Sequence, residues 1–226
     1  NPERKIRHIY VSEQGAAAIE PVLERAKKLQ RPDVQIIDKH ALDSVLPAGA
    51  VHQGVAIVCS DLPELGVQDF IIAAQGRDNT RIVLLDQVTD PHNVGAIIRS
   101  ACVLGIHGLV MQRMHAPELG GVLAKTACGG VEHLPIAYET NLNRTIEQFK
   151  DNGFFVIGMD ERGDAIQEFK ARGLPDKLVI VLGAEGAGLR RLVKENCDAL
   201  IALPNPGPID SLNVSNAAAV AFYAIL

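Results

Sequence analysis

The strongest constraint on the fold is the stretch Leu178-Val179-Ile180-Val181-Leu182, in which no polar residue interrupts the apolar ones. A strand with one face in water alternates apolar with polar, so an unbroken run needs cover on both faces. Such strands belong to parallel sheets with helices on each side. The chain from Arg81 onward agrees. Strands are expected at 82–85, near Leu109, near Leu134, and at 154–158, 178–182 and 199–203. Helices are expected from Asn93, near Leu119, at 142–152 and 189–196, and from Leu212.

The front of the chain has a different rhythm. Residues 6–11, 34–37 and 54–58 read as short strands, and 15–29 carries Ala17, Ile19, Val22, Leu23, Ala26 and Leu29 at helical spacing. This is a small α/β module, close to the lower size limit for folding alone. Between them the pattern loosens at Asp61-Leu62-Pro63-Glu64 and again at Gln75-Gly76-Arg77-Asp78-Asn79-Thr80, with a short helix at Phe70-Ile71-Ile72. The expected organisation is a domain at 1–60, a linker at 61–80 and a second domain at 81–226.

A net charge of −5 argues against phosphate binding over the whole surface. The charge is uneven, however. Residues 1–31 hold seven cations (Arg4, Lys5, Arg7, Arg25, Lys27, Lys28, Arg31) against four glutamates (Glu3, Glu13, Glu20, Glu24). A basic module on an acidic one fits nucleic-acid binding at one end, and equally a solvated helix face. No apolar run reaches the roughly 20 residues of a membrane span, and the start Asn-Pro-Glu-Arg-Lys lacks a signal-peptide layout, so a cytoplasmic location is expected. Cys59, Cys102, Cys128 and Cys197 form no C-x-x-C pair and read as buried thiols. His92, His107, His115 and His133 are too scattered to specify a metal site.

Three segments where buried strands end carry the chemistry, since ligands bind at the carboxyl ends of strands in open α/β sheets. The first is Asp86-Gln87-Val88-Thr89-Asp90-Pro91-His92-Asn93-Val94-Gly95-Ala96-Ile97-Ile98-Arg99-Ser100-Ala101. Asn93 is a possible helix cap. Arg99 stands among Ala96, Ile97, Ile98, Ala101 and Cys102, surroundings in which a guanidinium needs an anionic or carbonyl partner. The second segment, Gly183-Ala184-Glu185-Gly186-Ala187-Gly188, has glycines that let backbone approach a ligand, but Glu185 would repel a pyrophosphate. A dinucleotide site is therefore disfavoured, and the acidic residue about 20 positions after a Rossmann turn is also missing. The third, Leu203-Pro204-Asn205-Pro206-Gly207-Pro208-Ile209-Asp210-Ser211-Leu212-Asn213-Val214-Ser215, leads into the last helix, where Ser211 and Asn213 could simply cap it.

Taken together and in this order, D-x-x-x-D-P-x-N-x-G-A-I-x-R-S-A, G-A-E-G-x-G and S-L-N-V-S resemble the three motifs of the SpoU/TrmH family of SPOUT RNA 2′-O-methyltransferases. Lys125-Thr126-Ala127-Cys128-Gly129-Gly130-Val131-Glu132 and Asn141-Leu142 are similar to the family as well, and His52-Gln53-Gly54-Val55 resembles the end of the L30e-like substrate domain of its two-domain 23S rRNA members. The resemblance implies a parallel-sheet α/β domain closed by a trefoil knot, behind a small L30e-like α/β domain. It implies S-adenosyl-L-methionine (AdoMet) held by Leu182, Gly183, Ile201, Leu203, Leu212 and Asn213. Arg99 falls on the family's catalytic arginine, with Asn93, Glu185, Ser211 and Asn213 on its supporting polar positions, and no metal takes part. The substrate implied is RNA, a guanosine ribose of 23S rRNA foremost. A tRNA substrate and a non-catalytic RNA-binding or ribosome-assembly role are the alternatives.

Two departures from the family stand out. Many members read P-M-x-G where this chain has Pro204-Asn205-Pro206-Gly207-Pro208, and the family usually has a strand-forming segment before Asn1-Pro2, so an incomplete first domain is expected. The last helix carries Val214, Ala217, Ala218, Val220, Ala221, Phe222, Ile225 and Leu226 with no charge. A helix apolar nearly all round needs cover on both sides, and a second copy of the catalytic domain in a homodimer is the expected cover.

Overall fold

The computed structural model describes residues 4–28, 34–47, 50–209 and 211–226. Glu3, Arg31 and Asp210 lie outside the described residues. The chain divides into two compact units, Asn1–Pro63 and Glu64–Leu226.

In the smaller unit, β1 (Ile6–Val11) pairs in parallel with β2 (Val34–Ile36) and antiparallel with β3 (Val55–Cys59). Helices α1 (Glu13–Lys28) and α2 (Lys39–Ser44) follow β1 and β2. Asp38 caps α2 by accepting the Ala41 N–H at 2.8 Å. Gly15 and Gly54 meet back to back: a Cβ on Gly15 would lie 2.1 Å from the Gly54 carbonyl oxygen, so this corner closes only with glycine.

The larger unit is built on six strands in the order β6-β5-β4-β8-β7-β9, every neighbouring pair parallel. They are β4 (Thr80–Asp86), β5 (Gly108–Gln112), β6 (Ile136–Glu139), β7 (Phe155–Ala165), β8 (Lys177–Gly183) and β9 (Ala199–Ala202). The helices are α3 (Val67–Ala74), α4 (Pro91–Val103), α5 (Gly121–Thr126), α6 (Leu142–Asp151), α7 (Ile166–Ala171), α8 (Arg191–Asn196) and α9 (Val214–Ala224). The unbroken apolar run now has its reason. Val83, Leu85, Leu178, Ile180 and Leu182 face α4 and α9 through Ile97, Ile98, Ala218 and Phe222. The alternate residues Ile82, Leu84, Val179 and Val181 face α3, α6 and α8 through Phe70, Phe149 and Val193.

Several elements differ from expectation. The stretch read as a linker at 61–80 holds α3, which buries Val67, Phe70, Ile71 and Ala74, so most of it belongs to the larger unit. The strand expected near Leu134 begins at Ile136, because a 3₁₀ turn at Gly130–Glu132 precedes it. β7 continues to Ala165 because the chain makes an excursion after Met159 and returns to β9, Met159 and Asp164 both pairing with Ile201. Gly163 permits that return, since a Cβ there would lie 2.4 Å from the Leu200 carbonyl. The cysteines are not fully buried as expected: Cys128 is exposed and the others are half-buried. Burial, then Asp198, pushes the Cys197 thiol up to about 12, which leaves it inert as a nucleophile.

Candidate functional site

Register in the central sheet brings the first two motifs together. β4 and β8 are neighbours, and Asp86 at the end of one pairs with Gly183 at the end of the other. From β4 the chain proceeds through α4 to β5 on one side; from β8 it proceeds through α8 to β9 on the other. Loops that leave adjacent strands in opposite directions open a crevice at their carboxyl ends.

The first motif turns into α4 at Asp90, not Asn93. Asp90 is the N-cap, its carboxylate accepting the Asn93 N–H at 2.9 Å, and Pro91 opens the helix. Capping by Asp90 leaves the Asn93 side chain available. Its Nδ2 donates to Glu185 Oε2 at 3.4 Å, and its Oδ1 accepts from Asn213 Nδ2 at 3.0 Å. Asn213 also donates to Glu185 Oε1 at 3.4 Å. Its own Oδ1 caps α9, accepting from Ser215 N at 2.9 Å and Ser215 Oγ at 2.6 Å. One residue from each motif thus meets in a closed triangle. Glu185 only accepts within it, so the orientation of both amides is fixed.

The loop carrying Glu185 is shaped by glycine. A Cβ on Gly183 would lie 2.2 Å from the Gly188 backbone, and Gly186 and Gly188 have φ of +76° and +65°. Asp86, fully buried, ties down the far end of the loop: it accepts from Arg190 N at 2.9 Å and Arg190 Nε at 2.6 Å. Asp86 opens the first motif, where the sequence assigns it no role of its own. The available signal was an acid closing an otherwise apolar strand, where an unpartnered carboxylate would be too costly to keep.

Arg99 differs from its sequence reading. Its apolar neighbours Ile97, Ile98 and Ala101 turn to the core, while Arg99 itself is on the exposed face of α4 and needs no buried partner. The expected cofactor residues divide. Leu182 and Ile201 are buried, Gly183 and Leu203 are half-buried, and Leu212 is 52 % exposed. Ser211 is exposed and stays outside the hydrogen-bonded triangle among the described residues. No group of three or more His, Cys, Asp or Glu among the described residues is placed to hold a metal.

Residues 80–223 match the profile of the SpoU rRNA Methylase family. The chain belongs to that family. Residues 1–65 match a second profile, RNA 2′-O ribose methyltransferase substrate binding. Among curated relatives, the 23S rRNA (guanosine-2′-O-)-methyltransferase RlmB of Haemophilus influenzae is 34% identical, covering 100% of this chain and 91% of that protein. YacO of Bacillus subtilis, assigned to the TrmH family of tRNA/rRNA methyltransferases, is 36% identical over 99% of this chain and 88% of its own. The fold is that of the SpoU methyltransferase AviRb from Streptomyces viridochromogenes, solved in complex with AdoMet, with a TM-score of 0.77 at 23% identity over 99% of this chain and 83% of that one. Membership in the family gives the crevice at Asp86 and Gly183 a chemical context.

Proposed function

We propose that the chain transfers the methyl group of AdoMet to a ribose 2′-hydroxyl of RNA, with a guanosine of 23S rRNA as substrate. The observation that carries this reading is the triangle Asn93, Glu185 and Asn213, which joins all three motifs at the crevice beside an exposed Arg99. Full-length similarity to the 23S rRNA guanosine methyltransferases supports the substrate.

The residues present fit the cofactor. An adenosyl group needs apolar cover and backbone partners, and the loops after β8 and β9 offer Gly183, Leu203 and the exposed side chains of Ile209 and Leu212. Leu182, Ile201 and Asn213 complete the proposed set. Bound AdoMet would supply an electrophilic methyl on a sulfonium, whose S–CH₃ bond breaks with its electron pair left on sulfur as a neutral thioether. The protein must then hold the 2′-hydroxyl in line and move its proton. Arginine stays protonated, so Arg99 acts by orienting an RNA phosphate, which takes the proton as the O–CH₃ bond forms, and by stabilising developing charge. Asn93, Glu185 and Asn213 position the ribose, and Ser211 joins them when RNA is bound.

The same reading includes a trefoil knot formed by threading of the C-terminal segment, and substrate selection by residues 1–60, with catalysis in 81–226. It also includes a cytoplasmic location and a homodimer. Val220 (45 % exposed) and Tyr223 (71 %) on α9, with Val103 (76 %) on α4, support the dimer as uncovered apolar surface. Incubation with methyl-labelled AdoMet and either unmodified 23S rRNA or tRNA, followed by mapping of 2′-O-methyl sites, tests the proposal. A single labelled guanosine ribose in 23S rRNA is expected. Label in tRNA alone would move the substrate, and label in neither would overturn the reading.

A further inference from the structure

The smaller unit contains a cavity of about 1000 Å³ at the end of β1 and β2, closed on a third side by residues 50–54. Its corner is built with unusual care. Gln53 and Gly54 adopt φ of +51° and +84°, and a left-handed glutamine is uncommon enough to need a cause. Four hydrogen bonds hold the turn: Val55 N donates to His52 O at 3.0 Å and closes it, Ser12 N donates to Gly54 O at 2.8 Å, Gly54 N donates to His52 Nδ1 at 3.0 Å, and His52 Nε2 meets Asp43 Oδ1 at 2.9 Å. Because Nδ1 accepts, His52 donates to Asp43 from Nε2, which fixes its tautomer. The turn leaves the Gln53 side chain exposed, lining the cavity with no hydrogen bond of its own among the described residues.

The lining has a definite chemistry. Ile36 and Val51, 64 % and 70 % exposed, are apolar side chains without cover inside a cavity that also presents the Gln14 and Gln53 amides and the Glu13 and Asp38 carboxylates. Lys39 is its one cation among the described lining residues. Carboxylates in that excess disfavour a phosphate. They suit a ring whose edge carries N–H donors and whose faces are apolar.

We infer that this cavity receives one unstacked nucleobase of the RNA substrate, a guanine, between Ile36 and Val51, with its donor edge on a carboxylate and its acceptors on the Gln53 amide. The inference rests on the proposed RNA substrate but concerns binding alone, so it is tested without methyl transfer. The probes are fluorescent pentauridylate and the same oligomer with guanosine, adenosine or cytidine at its centre, titrated into the full chain by anisotropy. The guanosine oligomer should bind most tightly, by about tenfold over pentauridylate. Gln53→Gly, which removes the amide while relaxing the backbone, should abolish that preference and leave thermal stability unchanged or raised. Gln53→Asn, which tolerates the left-handed turn, should restore part of it. Equal affinity for all four oligomers, or a preference that survives Gln53→Gly, overturns the inference. Loss of methyl transfer with the preference intact would instead count against the proposed reaction.

Discussion

Asp86→Asn isolates the device that holds the second motif in place. The carboxylate is fully buried and accepts two hydrogen bonds from Arg190, one from the backbone and one from the guanidinium. An amide keeps one acceptor and turns a donor toward the other N–H. Losing a hydrogen bond to a charged group costs about 1.5–3 kcal/mol, and a buried donor left unmatched costs about 1–3 more. Arg190 is 40 % exposed and its guanidinium can regain water, so the low end applies, about 2.5 kcal/mol in all. For a unit of this size that is a fall of roughly 5–10 °C in the unfolding midpoint. AdoMet affinity should fall in parallel, because the loop from Gly183 to Arg190 carries both Gly183 and Glu185. Differential scanning calorimetry with and without AdoMet reads both. Glu195→Gln is the control: its ion pair with Arg191 is exposed and worth only about 0.3–0.5 kcal/mol. A midpoint within about 2 °C of the parent, with unchanged AdoMet affinity, would refute the assignment of Asp86 as the anchor of this loop.

Arg99→Ala should leave the fold and AdoMet binding intact, since the side chain is exposed, while lowering methyl transfer by about two orders of magnitude or more; near-parental turnover would remove it from the mechanism. Asp160 has its pKa lowered below the ordinary 3.8: burial alone would raise it, but the hydrogen bond and charge of Lys194 and the Arg162 amide outweigh burial. Its stabilising effect is therefore complete above pH 3.8 and lost as pH falls through the lower folded value, so urea midpoints of the parent and Asp160→Asn should differ at pH 7 and converge in acid. A fragment of residues 64–226, which keeps α3, should bind AdoMet like the full chain yet lose selective rRNA methylation; undiminished selectivity by isotope mapping would remove substrate choice from the first domain. Sedimentation equilibrium should give twice 24.3 kDa for the full chain, and Tyr223→Asp should shift it toward monomer; an active monomer of the parent would end the dimer proposal.

What could be read from the sequence, and what could not, follows from how far apart the interacting residues lie. The strands at 178–182 and 82–85 were legible because burial on both faces is a property of a few consecutive residues. Helix α3 was legible in part: a short helix is expected at Phe70-Ile71-Ile72, but its full apolar face, Val67, Phe70, Ile71 and Ala74 at i, i+3, i+4 and i+7, is masked by Pro63, Gly66 and Gly76 around it, which read as a linker. Arg99 shows the opposite error. Neighbours in sequence are turned about 100° from one another on a helix, so Ile97, Ile98 and Ala101 describe the far face of α4 and not the surroundings of the guanidinium.

The members of the triangle are named through the family resemblance, but their hydrogen bonds to one another were out of reach for a different reason. Asn93 lies 120 positions from Asn213 and 92 from Glu185, and its meeting with Glu185 depends on β8 being inserted beside β4 in a register that pairs Asp86 with Gly183. Local chemistry does not encode that pairing; the order of strands does. Asp90 makes the point sharply, because either Asp90 or Asn93 can cap a helix, and only when Asp90 takes the cap is the Asn93 amide left to face Glu185 and Asn213. The two residues have therefore divided a structural and a positioning duty that the sequence alone leaves interchangeable. Asp90→Ala should act mainly on stability and Asn93→Ala mainly on the placement of Glu185.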